Sequence, residues 1–165
     1  MKAKAHCYGD NIDTDRIIAG KYTKTLNPND LAAHVLEDLD PKFRDKLKKG
    51  DFLVAGHNFG CGSSREQAPL ALLTAGVSAV IAKSFSRIFF RNSINIGLRV
   101  LVIPEHKIEM GQELEYNSTT GRVRNLSAKI SYSCQPLPKI MSEILKSGGL
   151  VGYLKARNNY EETCI

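Results

Sequence analysis

Residues 51–104, DFLVAGHNFGCGSSREQAPLALLTAGVSAVIAKSFSRIFFRNSINIGLRVLVIP, decide the fold. Three short apolar runs, DFLVAG, VSAVIAK and LRVLVI, read as buried strands. Between them lie REQAPLALLTAG and SFSRIFFRNSINIG, apolar at helical spacing and each closed by a glycine, a common C-terminal stop for a helix. Strand, helix, strand, helix, strand is the pattern of right-handed crossover units on a parallel sheet. The first helix carries Leu70, Leu72 and Leu73 among small residues. In the second helix the spacing points Ile88, Phe89, Ile94 and Ile96 inward, with the IFF stripe counted as core.

Upstream, the first fifteen residues predict a short strand and then a loop dense in Asp and Asn. NPNDLAAHVLEDL places Leu31, Val35, Leu36 and Leu39 on one helical face, with Asn27 or Asn29 as its cap. DPKFRDKLKKGD reads as a charged surface connection. Downstream, GQELEYNSTTGRVRNLSAKIS predicts short alternating strands with a hairpin at TTGR. LPKIMSEILKSGG is a further helix with Pro138 near its start, and LVGYLKARN adds a last helical turn before a polar tail. The expected architecture is α/β: a central mostly parallel sheet, flanking helices and a small antiparallel addition, in one domain over residues 1–165.

A chain of 165 residues with 42% hydrophobic and 24% charged residues can bury a core without staples. The net charge of +6 is scattered, with no dense basic block and no interleaved aromatics, so nucleic acid is not an expected partner. Small anions or an acidic partner surface fit that charge better. The amino-terminal MKAKAHCYGDNIDTD lacks a signal-peptide run, and no stretch approaches the roughly 18 apolar residues of a membrane span. A cytoplasmic location without membrane contact is therefore expected. Cys7, Cys61, Cys134 and Cys164 lie far apart with no CxxC pair, which predicts free thiols and no metal site of their own.

The chemistry concentrates between Gly60 and Glu66. Glycines permit positive φ and close backbone approach. The helix that follows turns its unpaired N–H groups toward the loop. SSRE from Ser63 to Glu66 fits a capping box, although Pro69 then lies too deep for a regular first turn, so the helix is either distorted or starts later. Arg65 adds a planar cation suited to a carboxylate or phosphate. These features describe an anion site, or else a capped helix whose Arg65 pairs with an internal acid. The loop matches neither the dinucleotide fingerprint nor the phosphate-binding GK[ST] loop, and GxSxG is absent, which disfavours covalent serine chemistry.

GCGSSREQAPLAL resembles the GSSRE segment of the aconitase superfamily. NIDTDRI and AKSFSRIFFRNSINIGL resemble two other segments of that superfamily's swivelling domain. Their order and spacing are similar to the small-subunit family of 3-isopropylmalate dehydratase and homoaconitase, and the likeness extends to the closing EILKSGGLVGYLK. The resemblance implies a swivelling β/β/α domain docked on a large subunit that carries a [4Fe–4S] cluster on its own cysteines. It implies reversible loss and re-addition of water on a small hydroxy-dicarboxylate substrate. By the same resemblance Ser63 is the proton-abstracting base, Ser64 and Arg65 contact substrate, and Asp15 of DTD handles the hydroxyl or orients a partner histidine.

The resemblance also assigns substituent sensing to AGKYTKTLNP, where Thr23 stands at an often apolar position and Lys24 where some relatives carry arginine. A lysine there can bind a distal carboxylate or turn to solvent beside an alkyl group. Isopropylmalate is the expected substrate, with homoaconitase, citramalate and dimethylmalate dehydratases as alternatives and an anion-binding regulatory module as the alternative of another class. His6, His34, His57 and His106 are expected to be structural or exposed, Cys61 a packing residue, and Arg87 and Arg91 helix-face residues; the role of Asp13 stays open.

Overall fold

The computed structural model describes residues 2–25 and 27–157. The predicted polar tail and Cys164 therefore lie outside the described residues. Seven strands form one sheet: β1 (Lys2–Cys7), β2 (Phe52–Ala55), β3 (Ala79–Ala82), β4 (Arg99–Val102), β5 (Glu113–Asn117), β6 (Arg122–Asn125) and β7 (Ile130–Ser133). Their order is β4-β3-β2-β1-β5-β6-β7. β1 to β4 pair in parallel, and β5 to β7 extend the sheet antiparallel. The addition is continuous with the core strands because β1 serves both halves. Its Lys2–Lys4 stretch pairs with β5, and its Ala5–Cys7 stretch pairs with β2.

Each step from β1 to β4 moves one strand in the same direction, so right-handed crossovers put every connecting helix on one face. That face carries α1 (Thr14–Ile17), a 3₁₀ turn (Gly20–Tyr22), α2 (Pro28–Ala33), α3 (Phe43–Lys46), α4 (Gln67–Ala75) and α5 (Arg87–Ile96). α6 (Lys139–Lys146) and α7 (Leu150–Ala156) add Ile144 and Tyr153 to the same core. Period-two alternation divides each strand between two cores. Leu53, Ala55, Val80 and Val100 meet Ile17, Leu31, Leu72 and Phe89 on the helix face. Phe52, Val54, Ile81 and Leu101 meet Leu114 and Val123, so the curled antiparallel half covers the other face. The result is three layers, helices over parallel strands over antiparallel strands.

Local signals explain most element ends. Asn27 accepts from the Asn29 amide and starts α2, and Ser86 accepts from the Phe89 amide and starts α5. Gly76 and Gly97, both in left-handed geometry, stop α4 and α5. Four expectations need correction. α4 begins at Gln67, and Glu66 makes no capping bond, so Ser63 and Glu66 form no capping box. Pro69 then falls in the first turn, where its missing N–H costs nothing. α2 ends at Ala33, where the chain turns, although Leu31, Val35 and Leu36 are buried as predicted. The surface connection contains α3, anchored by fully buried Phe43. Ile88 is 47% exposed, so the IFF stripe is not all core.

Candidate active site at the carboxyl ends of the parallel strands

The loops after β1, β2 and β3 meet at one end of the sheet, the usual place for a site in an open α/β fold. Strand-like pairing continues past the strands and holds these loops in register. Asp13 bridges Cys61 and Phe59 bridges Phe85, both in parallel. The Gly60 amide donates to the Ile12 carbonyl at 2.7 Å, and the Thr14 amide to the Cys61 carbonyl at 2.9 Å. Gly60 is required twice over: its φ is +74°, and a Cβ there would overlap the Phe89 ring.

This framework fixes Ser63. Its amide donates to Thr14 Oγ1 at 3.0 Å, and its Oγ lies 2.9 Å from the same oxygen. Thr14 is buried, so its hydroxyl has no competing solvent. Having accepted the Ser63 amide hydrogen, Thr14 Oγ1 is free to donate its own hydrogen to Ser63 Oγ, a charge-stabilising arrangement for that oxygen. Ser63 itself is partly exposed and Ser64 exposed. The Ser64 carbonyl is tied to α5 by buried Asn92, whose amide donates at 3.0 Å.

Arg65 forms an ion pair with Asp15 through its Nη1 and the Asp15 Oδ1. Two residues singled out from different motifs are thus joined, and the acid foreseen for Arg65 is Asp15. The side chains are 32% and 62% exposed respectively, so both remain reachable. A Cβ on Gly20 would lie 3.6 Å from Arg65 Nη2, so the 3₁₀ turn closes over the guanidinium. Asp13 caps α1 by accepting from the Arg16 amide at 2.7 Å.

Ser64, Arg65 and Glu66 also border an open cleft of about 340 Å³, with Thr25, Leu31 and Leu70. Thr23 and Lys24 are not in its wall. Thr23 Oγ1 donates back to the Gly20 carbonyl at 2.8 Å, and Lys24 is exposed with no ion pair among the described residues. The loop that carries them is anchored by Tyr22, stacked on His34 at 3.7 Å and donating to Glu37 at 3.0 Å. Hydrogen bonds from His34 and then Tyr22 hold the Glu37 carboxyl below its ordinary range.

The remaining candidates have structural surroundings. His6 Nε2 meets Asp51 Oδ2 at 2.9 Å in the core. Burial opposes charge on Asp51, but the bonds from His6 and the Lys48 and Lys4 amides outweigh it and hold its pKa below the ordinary carboxylate value. His106 is buried against the Ala55 carbonyl, while His57 and Asn58 are exposed on the loop. Arg87 and Arg91 are exposed on α5. Burial pushes the Cys7 and Cys134 thiols up to about 11. Among the described residues no three His, Cys, Asp or Glu side chains converge as a metal site. None of the helices described is long and apolar enough to cross a membrane.

Thr14, Thr25, Leu31, Leu70 and Asn92 were not anticipated as site residues. Thr14 sits inside the quoted DTD, but its contact with Ser63 spans 49 positions and leaves no local signal.

Residues 3–106 match the Aconitase C-terminal domain family. The chain is 53% identical over 157 residues to the 3-isopropylmalate dehydratase small subunit of Caldicellulosiruptor bescii, covering 94% of this chain and 95% of that protein. It is 56% identical over 154 residues to 3-isopropylmalate dehydratase small subunit 1 of Archaeoglobus fulgidus, covering 93% and 96%. The crystal structure of a 3-isopropylmalate dehydratase from Methanocaldococcus jannaschii superposes with a TM-score of 0.92 at 44% identity, covering 95% of this chain and 94% of that one.

Proposed function

This chain belongs to the Aconitase C-terminal domain family, and on that premise we propose that it is the small subunit of a 3-isopropylmalate dehydratase, a hydro-lyase that isomerises a hydroxy-dicarboxylate by losing and regaining water. The observation that carries the reading is the meeting of Ser63, Thr14, Arg65 and Asp15 at one open rim. The whole chain acts as one swivel-type unit that completes an active site with a large subunit, both in the cytoplasm. Free Cys7, Cys61 and Cys134 suit that reducing compartment.

Dehydration needs a base for a weakly acidic C–H beside a carboxylate. Ser63 Oγ, in its alkoxide form, takes that proton and becomes the neutral hydroxyl. A hydroxyl is a poor base unless negative charge on its oxygen is stabilised, and the Thr14 hydroxyl 2.9 Å away supplies a fixed donor. The positive charge of Arg65, two residues on, acts in the same sense. Ser64 and Arg65 hold a substrate carboxylate; one nitrogen of Arg65 serves Asp15 and the rest of its fork stays available. Asp15 fixes the guanidinium and, being well exposed, also faces the hydroxyl or a group brought by the large subunit. Thr23 shapes the adjoining turn, and exposed Lys24 adds positive field at the mouth.

The [4Fe–4S] cluster belongs to the large subunit in this reading. An iron with an open coordination position supplies Lewis acidity toward a leaving hydroxyl. The test is reconstitution with a large subunit. The pair interconverts isopropylmalates, and Ser63→Ala abolishes turnover while still co-purifying with its partner. Full activity of the chain alone, or turnover retained by Ser63→Ala, would overturn the assignment.

A further inference from the structure

We infer that Asn92, on α5, is a positioning residue for Ser64 and Arg65: its side-chain amide sets the peptide between them, and with it their grip on the substrate carboxylate. This inference rests on the hydro-lyase reading above. Ser63, Ser64 and Arg65 lie in neither helix nor strand, and α4 begins only at Gln67, so regular structure does not hold them. Their loop is held from two sides instead. On one side Thr14 Oγ1 accepts the Ser63 amide hydrogen at 3.0 Å. On the other, α5 backs the loop. Ser86 Oγ donates to the Gly60 carbonyl at 2.6 Å, the Phe89 ring fills the space beside Gly60, and Asn92 Nδ2 donates to the Ser64 carbonyl at 3.0 Å. Phe89 and Asn92 are three positions apart and share one helix face.

Among the described residues the bond from Asn92 is the only hydrogen bond that Ser64 makes. A buried amide inside a helix is a poor choice for stability alone, because it loses water and Asn is a weak helix former. The bond to Ser64 offsets that loss. A peptide unit is planar, so holding the Ser64 carbonyl also fixes the direction in which Arg65 leaves the loop toward Asp15. Without the bond that peptide can rotate, and the Ser64 hydroxyl and the guanidinium lose their common aim. Ser63 keeps its own tie to Thr14, so the base stays in place while substrate binding weakens.

The test is steady-state kinetics with 3-isopropylmalate on the complex with the large subunit. Asn92→Leu nearly keeps the volume and removes the donor, and Asn92→Ala removes both. Each should raise KM about tenfold with kcat changed less than about threefold, the signature of weakened binding in ground and transition states alike. Ser93→Ala is the control. It deletes a buried 2.7 Å bond within α5, from Ser93 Oγ to the Phe89 carbonyl. It should lower the thermal unfolding midpoint while KM stays within about twofold of wild type. An equal rise of KM in Ser93→Ala, a loss of kcat without a change of KM, or no change in the Asn92 variants would overturn the assignment and leave the enzymatic reading standing. Failure of both Asn92 variants to fold or to co-purify with the large subunit would also overturn it, making Asn92 part of the scaffold. A wild-type complex inactive on 3-isopropylmalate would overturn that reading and the positioning role together.

Discussion

Thr14 Oγ1 lies 2.9 Å from Ser63 Oγ and accepts the Ser63 amide hydrogen at 3.0 Å, across 49 positions of chain. One buried hydroxyl therefore sets both the backbone and the side chain of the proposed base. Replacing Thr14 by Val keeps its shape and removes its hydrogen bonds. We expect kcat of the reconstituted complex to fall roughly 10²-fold, as when one preorganised donor to a developing anion is lost. Thr14→Ser should restore most of it. An unchanged kcat in Thr14→Val would make the contact purely structural.

The Arg65–Asp15 ion pair is exposed enough that its removal should cost at most about 1 kcal/mol of stability. Asp15→Asn is therefore expected to leave the denaturation midpoint almost unmoved while kcat/KM drops at least about tenfold, a loss near 1.4 kcal/mol of transition-state binding. Arg65→Lys keeps the charge but not the fork and should raise KM. Equal losses of stability and activity would assign the pair to the scaffold.

Gly60→Ala places a methyl group against the Phe89 ring at a φ of +74°. Overpacking and left-handed strain together should cost about 3 kcal/mol in chemical denaturation. Gly50→Ala is the control: its φ is +104°, but nothing lies within 4 Å, so only the backbone strain remains. Similar losses in both variants would remove the steric argument at Gly60.

His106 carries a pH prediction. Burial disfavours its charged form and outweighs the bond to the Ala55 carbonyl, with Lys83 and His57 adding repulsion, so its pKa is lowered from 6.5. The unfolded chain then binds more protons below that value, and stability must fall as pH drops from about 6.5 toward the folded value. Above about 6.5 the contribution is complete. Urea midpoints measured between pH 8 and 5 should decline in the wild type and flatten in His106→Asn. The same decline in both would exclude His106 as its source.

The fold was legible where information is local. Alternating strands and helices in residues 51–104, the stops at Gly76 and Gly97 and the cap at Asn27 depend only on periodicity and neighbouring side chains. Failures occurred where distant packing overrides spacing. Ile88 fits an inward stripe by period, yet the chain turns it outward beside Arg87 and Arg91. Phe43 was hidden among charged neighbours, and one buried aromatic was enough to fix a short helix there.

The residues by themselves determined a parallel α/β core and a glycine loop bearing Ser63, Ser64 and Arg65, because spacing and turn chemistry act within a few positions. Only the tertiary structure decided that Thr14 faces Ser63, that Asp15 holds Arg65, and that Leu31 and Leu70 wall the neighbouring cleft. Those relationships come from strand order and crossover hand, which carry loops far apart in the chain to the same end of one sheet.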